Sequence, residues 1–190
     1  MDRNISTADF IKEISEFQNN HGYRVGKICC KIWDIIKPSG ISKEHLKLAG
    51  QLHDAGKLLI PPNILNAARK LTPEETAIIH QHPAGGVALL HWHRKTFPPE
   101  IADTMFLHHE RWDGHGYPLG LSGKDIPLYV RIVTLADVID ALLSPRNYKK
   151  AYDFDSIYKI LKKESGKIFD PYLCNICLQH LHELITAAKT

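Results

Sequence analysis

The sequence predicts an all-α protein. Apolar residues recur at i, i+3 and i+4 along most of the chain, which is the spacing of one helix face. Prolines and capping residues stand where helices start, and glycines stand where they end. Alternation of apolar and polar residues with period two, the signature of a half-buried strand, is almost absent.

The first three helices are predicted from apolar stripes and their boundaries. Residues 7–19 carry one stripe, and residues 21–37 carry another that stops before Pro38. Ser42 is placed to cap a third helix, which runs through His53.

The middle of the chain alternates helices with loops. The stretch GKLLIPPNIL (56–65) is predicted to be a loop, because glycine and two prolines interrupt it. Residues 72–75 read TPEE, a capping box that predicts a helix to about Gln81. A further helix is predicted over 83–92.

The last part begins with a predicted helix from Pro98 to near His109. Residues 110–126 contain four glycines, for which we expect positive φ or close backbone approach, and they cannot form a regular helix. Helices are predicted over 127–143, 154–164 and 171–188. We find no repeat, low-complexity segment or linker, so residues 1–190 are predicted to form a single domain.

Composition excludes several classes of protein. Of the 190 residues, 44% are hydrophobic and 24% charged, which are ordinary globular values. The net charge of +3 suits an anionic small molecule but does not indicate a nucleic-acid groove. The chain lacks an apolar run long enough for a membrane span, and its polar start lacks a signal core. The four cysteines are interpreted as core residues, and a cytoplasmic location is expected.

Histidine is unusually frequent, with 12 in 190 residues. Seven histidines and aspartates recur at predicted helix ends or inside an apolar helix: His21, His53, Asp54, His82, His108, His109 and Asp137. If each adjacent pair is counted as one position, successive positions are 26 to 32 residues apart, roughly a helix, a turn and a returning helix. They can therefore meet at one end of a bundle, as ligands do in helical metal sites. The remaining histidines are interpreted as surface residues or as supports of this site.

The residue types favour two metal ions. One four-coordinate zinc site needs three or four ligands, whereas seven suffice for two ions if a carboxylate bridges them. Without a thiolate the set suits iron or manganese, with zinc or nickel possible. Any one of these histidines taken alone would more often be an ordinary core residue. Asp137 is costly to bury unless it is bound to metal or paired, for example with Arg131 at a poor helical spacing.

The same residues carry a resemblance to a known family. His21, His53-Asp54 and Asp137 resemble the metal set of the HD phosphohydrolase superfamily. The strings HDAGKLLIP, HQHP, HHERWDGHGYPLGLSGKDIP, RIVTLADVIDAL and PRNYKKA resemble the HD-GYP family over about residues 21–175. The implied fold is an HD-type helical bundle with a glycine-rich GYP loop. Glu110, Asp113 and Arg131 are expected to tie that loop down by ion pairs.

The resemblance implies a metal-dependent phosphodiesterase that hydrolyses cyclic di-GMP to pGpG or GMP through a hydroxide bridging two divalent ions. One ion would be held by His21, His53, Asp54 and Asp137, with Asp54 bridging to a second ion. That second ion would be held by His82, His108 and His109. Lys57 would stabilise phosphate charge, Arg146 and Lys149 would bind substrate phosphates, and Tyr148 would stack on a guanine.

The sequence also departs from the family pattern. Phe17 stands where some members have a glutamate for a third ion, so two ions are expected. Pro62 and residues 67–69 differ near the family's substrate entrance, which leaves substrate preference open. Two alternative hypotheses are a phosphodiesterase for another cyclic dinucleotide, such as cyclic GMP-AMP, and a module that binds nucleotide without turnover. The GYP loop is a candidate surface for a cyclase or other signalling proteins.

Overall fold

The computed structural model describes residues 6–94, 96–145 and 151–189. These residues form an all-α structure, and no strand occurs among them. Its helices are α1 (Thr7–Phe17), α2 (His21–Ile36), α3 (Lys43–Leu52), α4 (Pro62–Leu65), α5 (Pro73–Ile79), α6 (His82–Trp92), α7 (Pro99–Leu107), α8 (Leu128–Leu143), α9 (Phe154–Glu164), α10 (Pro171–Gln179) and α11 (Leu181–Lys189). The predicted fold class is confirmed.

Local capping explains several helix starts. The Ser42 side chain accepts from the backbone N–H of His45 at 3.1 Å, which begins α3 as predicted. At α5 the predicted capping box is present, because the Thr72 hydroxyl accepts from Glu75 N–H and the Glu75 carboxylate accepts from Thr72 N–H. These short-range contacts set the residues at which the two helices begin.

The prediction of a loop over 56–65 is wrong. Ala55–Leu59 is a 3₁₀ helix, and α4 follows it as a single helical turn. Pro62 starts α4 because the first helical position needs no backbone N–H donor. The glycine and the two prolines therefore limit the helices in this stretch to short segments but do not prevent them.

The single helix predicted over 171–188 is also wrong, because it breaks at His180 into α10 and α11. The break lets α11 turn and pack against α2, where Leu181, Leu184 and Ala188 are buried. His180 also donates from its ring to the Glu183 carboxylate at 2.8 Å, just after the break.

One large apolar core runs from Phe10 to Ala188. Helix α2 lies at its centre and packs on α3, α8 and α11, while α3 also packs on α7 and α6 on the 3₁₀ helix. This packing brings the start of α2 and the ends of α3 and α7 together. None of the described helices combines the length and apolar character that crossing a bilayer requires.

Candidate metal centre

All seven histidines and aspartates singled out in the sequence meet at one end of the bundle, in two groups. The first cluster is His21, His53 and Asp137, from the start of α2, the end of α3 and the middle of α8. The second cluster is Asp54, His82, His108 and His109, from the residues after α3 and α7 and the start of α6. Within each cluster the possible ligand atoms lie within 4.8 Å of one another.

Asp54 lies between the two clusters. Its Oδ2 is 3.4 Å from His53 Nε2 and 3.9 Å from His21 Nε2, on the side of the first cluster. Its Oδ1 is 3.2 Å from His82 Nε2 and 3.5 Å from His108 Nε2, on the side of the second. One carboxylate thus presents a different oxygen to each group, which is the geometry of a bridging ligand.

Hydrogen bonds orient three of the histidine rings towards the centre. Nδ1 of His53 donates to the Gly50 carbonyl at 2.8 Å, and Nδ1 of His82 donates to the Ile79 carbonyl at 2.7 Å. Nδ1 of His108 donates to the Met105 carbonyl at 3.0 Å. When these rings are neutral, the proton lies on Nδ1 and the lone pair of Nε2 is available to a metal.

His21 is oriented by a carboxylate instead. Its Nδ1 donates to Asp140 Oδ2 at 2.7 Å, and its Nε2 lies 3.0 Å from Asp137 Oδ1. Asp140 is fully buried and also accepts two hydrogen bonds from Arg24, at 2.7 and 2.9 Å. Asp140 and Arg24 were not predicted from the sequence, although a second acid in the apolar run of α8 is a signal that could have identified Asp140.

Close backbone packing sets the distance between Asp54 and His82. A Cβ on Gly56 would lie 1.9 Å from the His82 carbonyl oxygen, so no side chain fits there. The 3₁₀ helix that follows Asp54 consequently lies directly against the start of α6.

The GYP loop (110–126) leaves the centre directly after His109. Gly114, Gly120 and Gly123 have positive φ, and a Cβ on Gly116 would lie 2.5 Å from the His109 carbonyl oxygen, so the glycine prediction is confirmed. The ion-pair prediction is wrong for Glu110, which is buried. Its carboxylate accepts from the backbone N–H groups of Leu119 at 2.6 Å and Leu121 at 2.9 Å.

The two other residues expected to tie the loop do form ion pairs. Asp113 pairs with Arg111 at 2.7 Å within the loop. Arg131 pairs with Asp170 and donates to the Ile126 carbonyl at 2.8 Å, so the loop is joined to α8 and the start of α10. Arg131 is therefore engaged away from Asp137.

Electrostatics differ between the two clusters. Burial disfavours charge on His21 and His53, but neighbouring carboxylates outweigh it, and they raise the pKa of His21 and bring the pKa of His53 to about 10. In the second cluster burial lowers the pKa of His108, and burial together with His108 lowers the pKa of His109 to about 2. His108 and His109 are therefore neutral at neutral pH.

The two aspartates are held as anions. Burial opposes their ionisation, yet Lys57 and His53 keep the pKa of Asp54 well below its usual range. His21 and His53 do the same for the pKa of Asp137. Both aspartates can thus act as anionic ligands throughout the neutral range.

The residues fit a divalent cation. His53 Nε2 and Asp54 Oδ1 are buried and have no hydrogen-bond partner within the described part of the chain. An unsatisfied buried polar atom costs about 1–3 kcal/mol. A cation in the first cluster would satisfy His53 Nε2, and a cation in the second cluster would satisfy Asp54 Oδ1. Nitrogen and carboxylate ligands without sulfur suit iron, manganese or zinc.

The residues predicted to act on substrate are placed only in part. Lys57 Nζ contacts Asp54 Oδ2 at the edge of the centre. Arg146, Tyr148 and Lys149 lie outside the described residues. Phe17 is a partly exposed side chain at the end of α1. His93, which was interpreted as a surface residue or a support of the site, is buried against Phe10, with ring centroids 5.2 Å apart.

Comparisons with known proteins agree with this site. A family model described as HD domain matches residues 6–173. The 3'3'-cGAMP-specific phosphodiesterase 2 of Vibrio cholerae is 34% identical over 178 residues, which cover 94% of this chain and 34% of that protein. The cyclic di-GMP phosphodiesterase response regulator RpfG of Xanthomonas campestris pv. campestris is 44% identical over 140 residues, 72% of this chain and 37% of that protein.

The fold is also found among solved structures. The HDG"Y"P protein Bd1817 of Bdellovibrio bacteriovorus superposes with a TM-score of 0.67 at 22% identity, over 86% of this chain and 52% of that one. The present chain spans 34% and 37% of the length of the two curated relatives. The chain belongs to the HD domain family, and its motifs and relatives place it in the HD-GYP group of that family.

Proposed function

We propose that this protein is a metal-dependent phosphodiesterase that hydrolyses cyclic di-GMP. The observation that carries the proposal is the position of Asp54, whose two oxygens face two separate histidine clusters. Relatives that match most of this chain are cyclic dinucleotide phosphodiesterases by name, which supports the substrate class. The two clusters support two ions per chain, with iron or manganese as the expected metals.

Hydrolysis adds water across one phosphodiester bond. The water oxygen bonds to phosphorus, the P–O3' bond breaks, and the 3'-oxygen leaves with a proton, which gives linear pGpG. A second cycle gives GMP. When bound, the two ions supply Lewis acidity and lower the pKa of water at the reacting phosphate.

The chain's own residues prepare this chemistry. Asp54 and Asp137 stay ionised and offset the charge of the cations, while neutral His108 and His109 keep their lone pairs available. Lys57 brings an ammonium to the edge of the centre, where it can neutralise charge that develops on a phosphate oxygen. It is proposed as a catalytic residue together with Asp54.

Arg146, Lys149 and Tyr148 are proposed to bind the substrate. In the sequence they follow Asp137 of the predicted metal set by nine to twelve positions. Arginine and lysine three residues apart can bind a phosphate by charge-assisted hydrogen bonds. Replacing Lys149 with alanine should raise KM roughly tenfold and leave the bound metal unchanged. Loss of metal in this variant would show that its role was misassigned.

The direct test is turnover by metal-loaded protein. The chain would be purified without oxygen, loaded with iron or manganese, and incubated with cyclic di-GMP, while products are separated by chromatography and metal per chain is counted. Linear pGpG or GMP with about two ions per chain is the expected result. Bound metal without product from cyclic di-GMP would contradict the substrate assignment.

A second candidate substrate is 3'3'-cGAMP. It is supported by the Vibrio cholerae relative named for that substrate, which matches 94% of this chain. The two substrates share the cyclic phosphodiester ring and differ in one base, so the same metal centre serves either. The ratio of kcat/KM for the two, measured side by side, decides between them.

A further inference from the structure

His109 is held differently from the other four histidines of the centre. Their Nδ1 atoms have an acceptor at 2.7 to 3.0 Å, whereas among the described residues His109 Nδ1 has none. His109 instead stacks on Tyr117 of the GYP loop, with ring centroids 4.6 Å apart and planes 19° apart.

A third ring completes this arrangement. His80, just after α5, stacks on Tyr117 with centroids 4.0 Å and planes 18° apart. His80 and His109 do not pair with each other among the described rings, so the tyrosine lies between them. The ring stack therefore runs from the exposed His80, through half-buried Tyr117, to His109 at the metal centre.

Backbone contacts hold Tyr117 next to His109. Tyr117 N–H donates to the His109 carbonyl at 3.3 Å, and Gly116 lies against the same carbonyl with no room for a side chain. Farther along, the buried Glu110 carboxylate holds the loop through Leu119 and Leu121. The tyrosine ring is thus a fixed surface, with His80 closing its outer face.

We propose that Tyr117 and His80 are positioning residues that hold the His109 imidazole with Nε2 directed at the second cluster. The imidazole cannot turn over without striking the tyrosine, and the tyrosine cannot withdraw because His80 lies behind it. The ring stack thus supplies the restraint that a hydrogen bond at Nδ1 supplies for the other four histidines. The inference rests on the proposed function only in requiring that His109 bind an ion.

The test measures metal binding by the ion-free full chain, titrated with Co²⁺ and followed by visible absorption. His109→Ala identifies the ion that depends on this residue. His80→Ala and Tyr117→Leu should each lower the affinity for that ion by about tenfold and leave the affinity for the other ion unchanged. The reason is that replacing a residue that supports a metal ligand typically lowers metal affinity by about 10–100-fold. His80→Phe and Tyr117→Phe keep stacked rings and should bind within about twofold of wild type.

His115→Ala is the matched control, because this histidine lies in the same loop with 83% of its side chain exposed. It should bind Co²⁺ as the wild type does. His80 is at the surface, so His80→Ala provides a test even if Tyr117→Leu fails to fold.

Three results would overturn the inference. The first is a Co²⁺ affinity of His80→Ala equal to that of the wild type. The second is an equal loss of Co²⁺ affinity in Tyr117→Phe and Tyr117→Leu. The third is that His109→Ala binds both ions as tightly as the wild type does. Failure of the proposed function is separate. A wild type that binds two ions without hydrolysing either cyclic dinucleotide would end the substrate proposal, while the variant affinities would still decide the role of the ring stack.

Discussion

The two clusters share Asp54 but are built from different surroundings. In the first, a buried carboxylate orients His21, and Arg24 holds that carboxylate from behind. In the second, backbone carbonyls orient His82 and His108, and the ring of Tyr117 lies on His109. The first cluster thus has a charged support at His21 besides the backbone carbonyl that orients His53, whereas the second relies on backbone carbonyls and ring packing.

This difference sets how each cluster would accept a cation. Carboxylates raise the pKa of His53 to about 10, so its proton must leave before a metal binds. The lowered pKa values of His108 and His109 mean that these two ligands of the second cluster have no such proton to lose. Two adjacent sites with one shared ligand should therefore fill with different pH dependence.

The largest expected effect comes from removing what the clusters share. Asp54→Ala should abolish binding of both ions and lower turnover by about a thousandfold or more, because the two-ion arrangement is lost. Metal per chain by atomic absorption, together with turnover, checks this. Asp113→Ala removes an acid paired with Arg111 in the loop and serves as the control. Retention of one tightly bound ion in Asp54→Ala would show that Asp54 does not bridge.

A selective change should separate the clusters. Asp140→Asn keeps the shape of the side chain but weakens the support of His21, so the ion of the first cluster should bind about 10–100-fold less tightly. The second cluster does not contact Asp140 and should keep its affinity. Titration with Mn²⁺ measures both. Equal weakening of both ions would contradict the independence of the two supports.

The pH dependence sharpens the same comparison. Affinity of the first cluster for Mn²⁺ should rise by about tenfold per pH unit above 6.5 and level off towards pH 10, where His53 loses its proton. The affinity of the second cluster should change less over this range, because His108 and His109 are already neutral. In the ion-free chain the raised pKa of His53 stabilises the fold below pH 6.5, and this contribution is lost as the pH rises through about 10. If the Mn²⁺ affinities of the two clusters rise equally steeply with pH, the proposed electrostatic difference between the clusters is wrong.

The smallest expected effect is on thermal stability. A chelator should lower the Tm of loaded protein by about 5–10 °C, because an ion at a hundred times its Kd contributes about 2.7 kcal/mol. His53→Ala, which lacks one of the buried unsatisfied atoms, should respond less. Calorimetry with and without chelator measures the shift. An unchanged Tm on chelation would show that the ions do not stabilise the fold.

Most of the helices could be predicted because their signals are local. The capping contacts of Ser42 and Thr72 join residues three positions apart, so the sequence shows them directly. The break at His180 and the helical turns over 55–65 could not be predicted in the same way. The break at His180 follows from packing, since α11 turns to bury Leu184 against the core, and the 3₁₀ helix over 55–59 packs against α6.

The sequence by itself determined which side chains are available at the centre and that helix ends carry them. Only the tertiary structure decided which oxygen of Asp54 faces which cluster, that Asp140 holds His21 across 119 positions, and that His80 closes a ring stack on Tyr117. The physical reason is range. Periodicity and capping depend on neighbours within a few residues, whereas these contacts exist only once distant helices have packed.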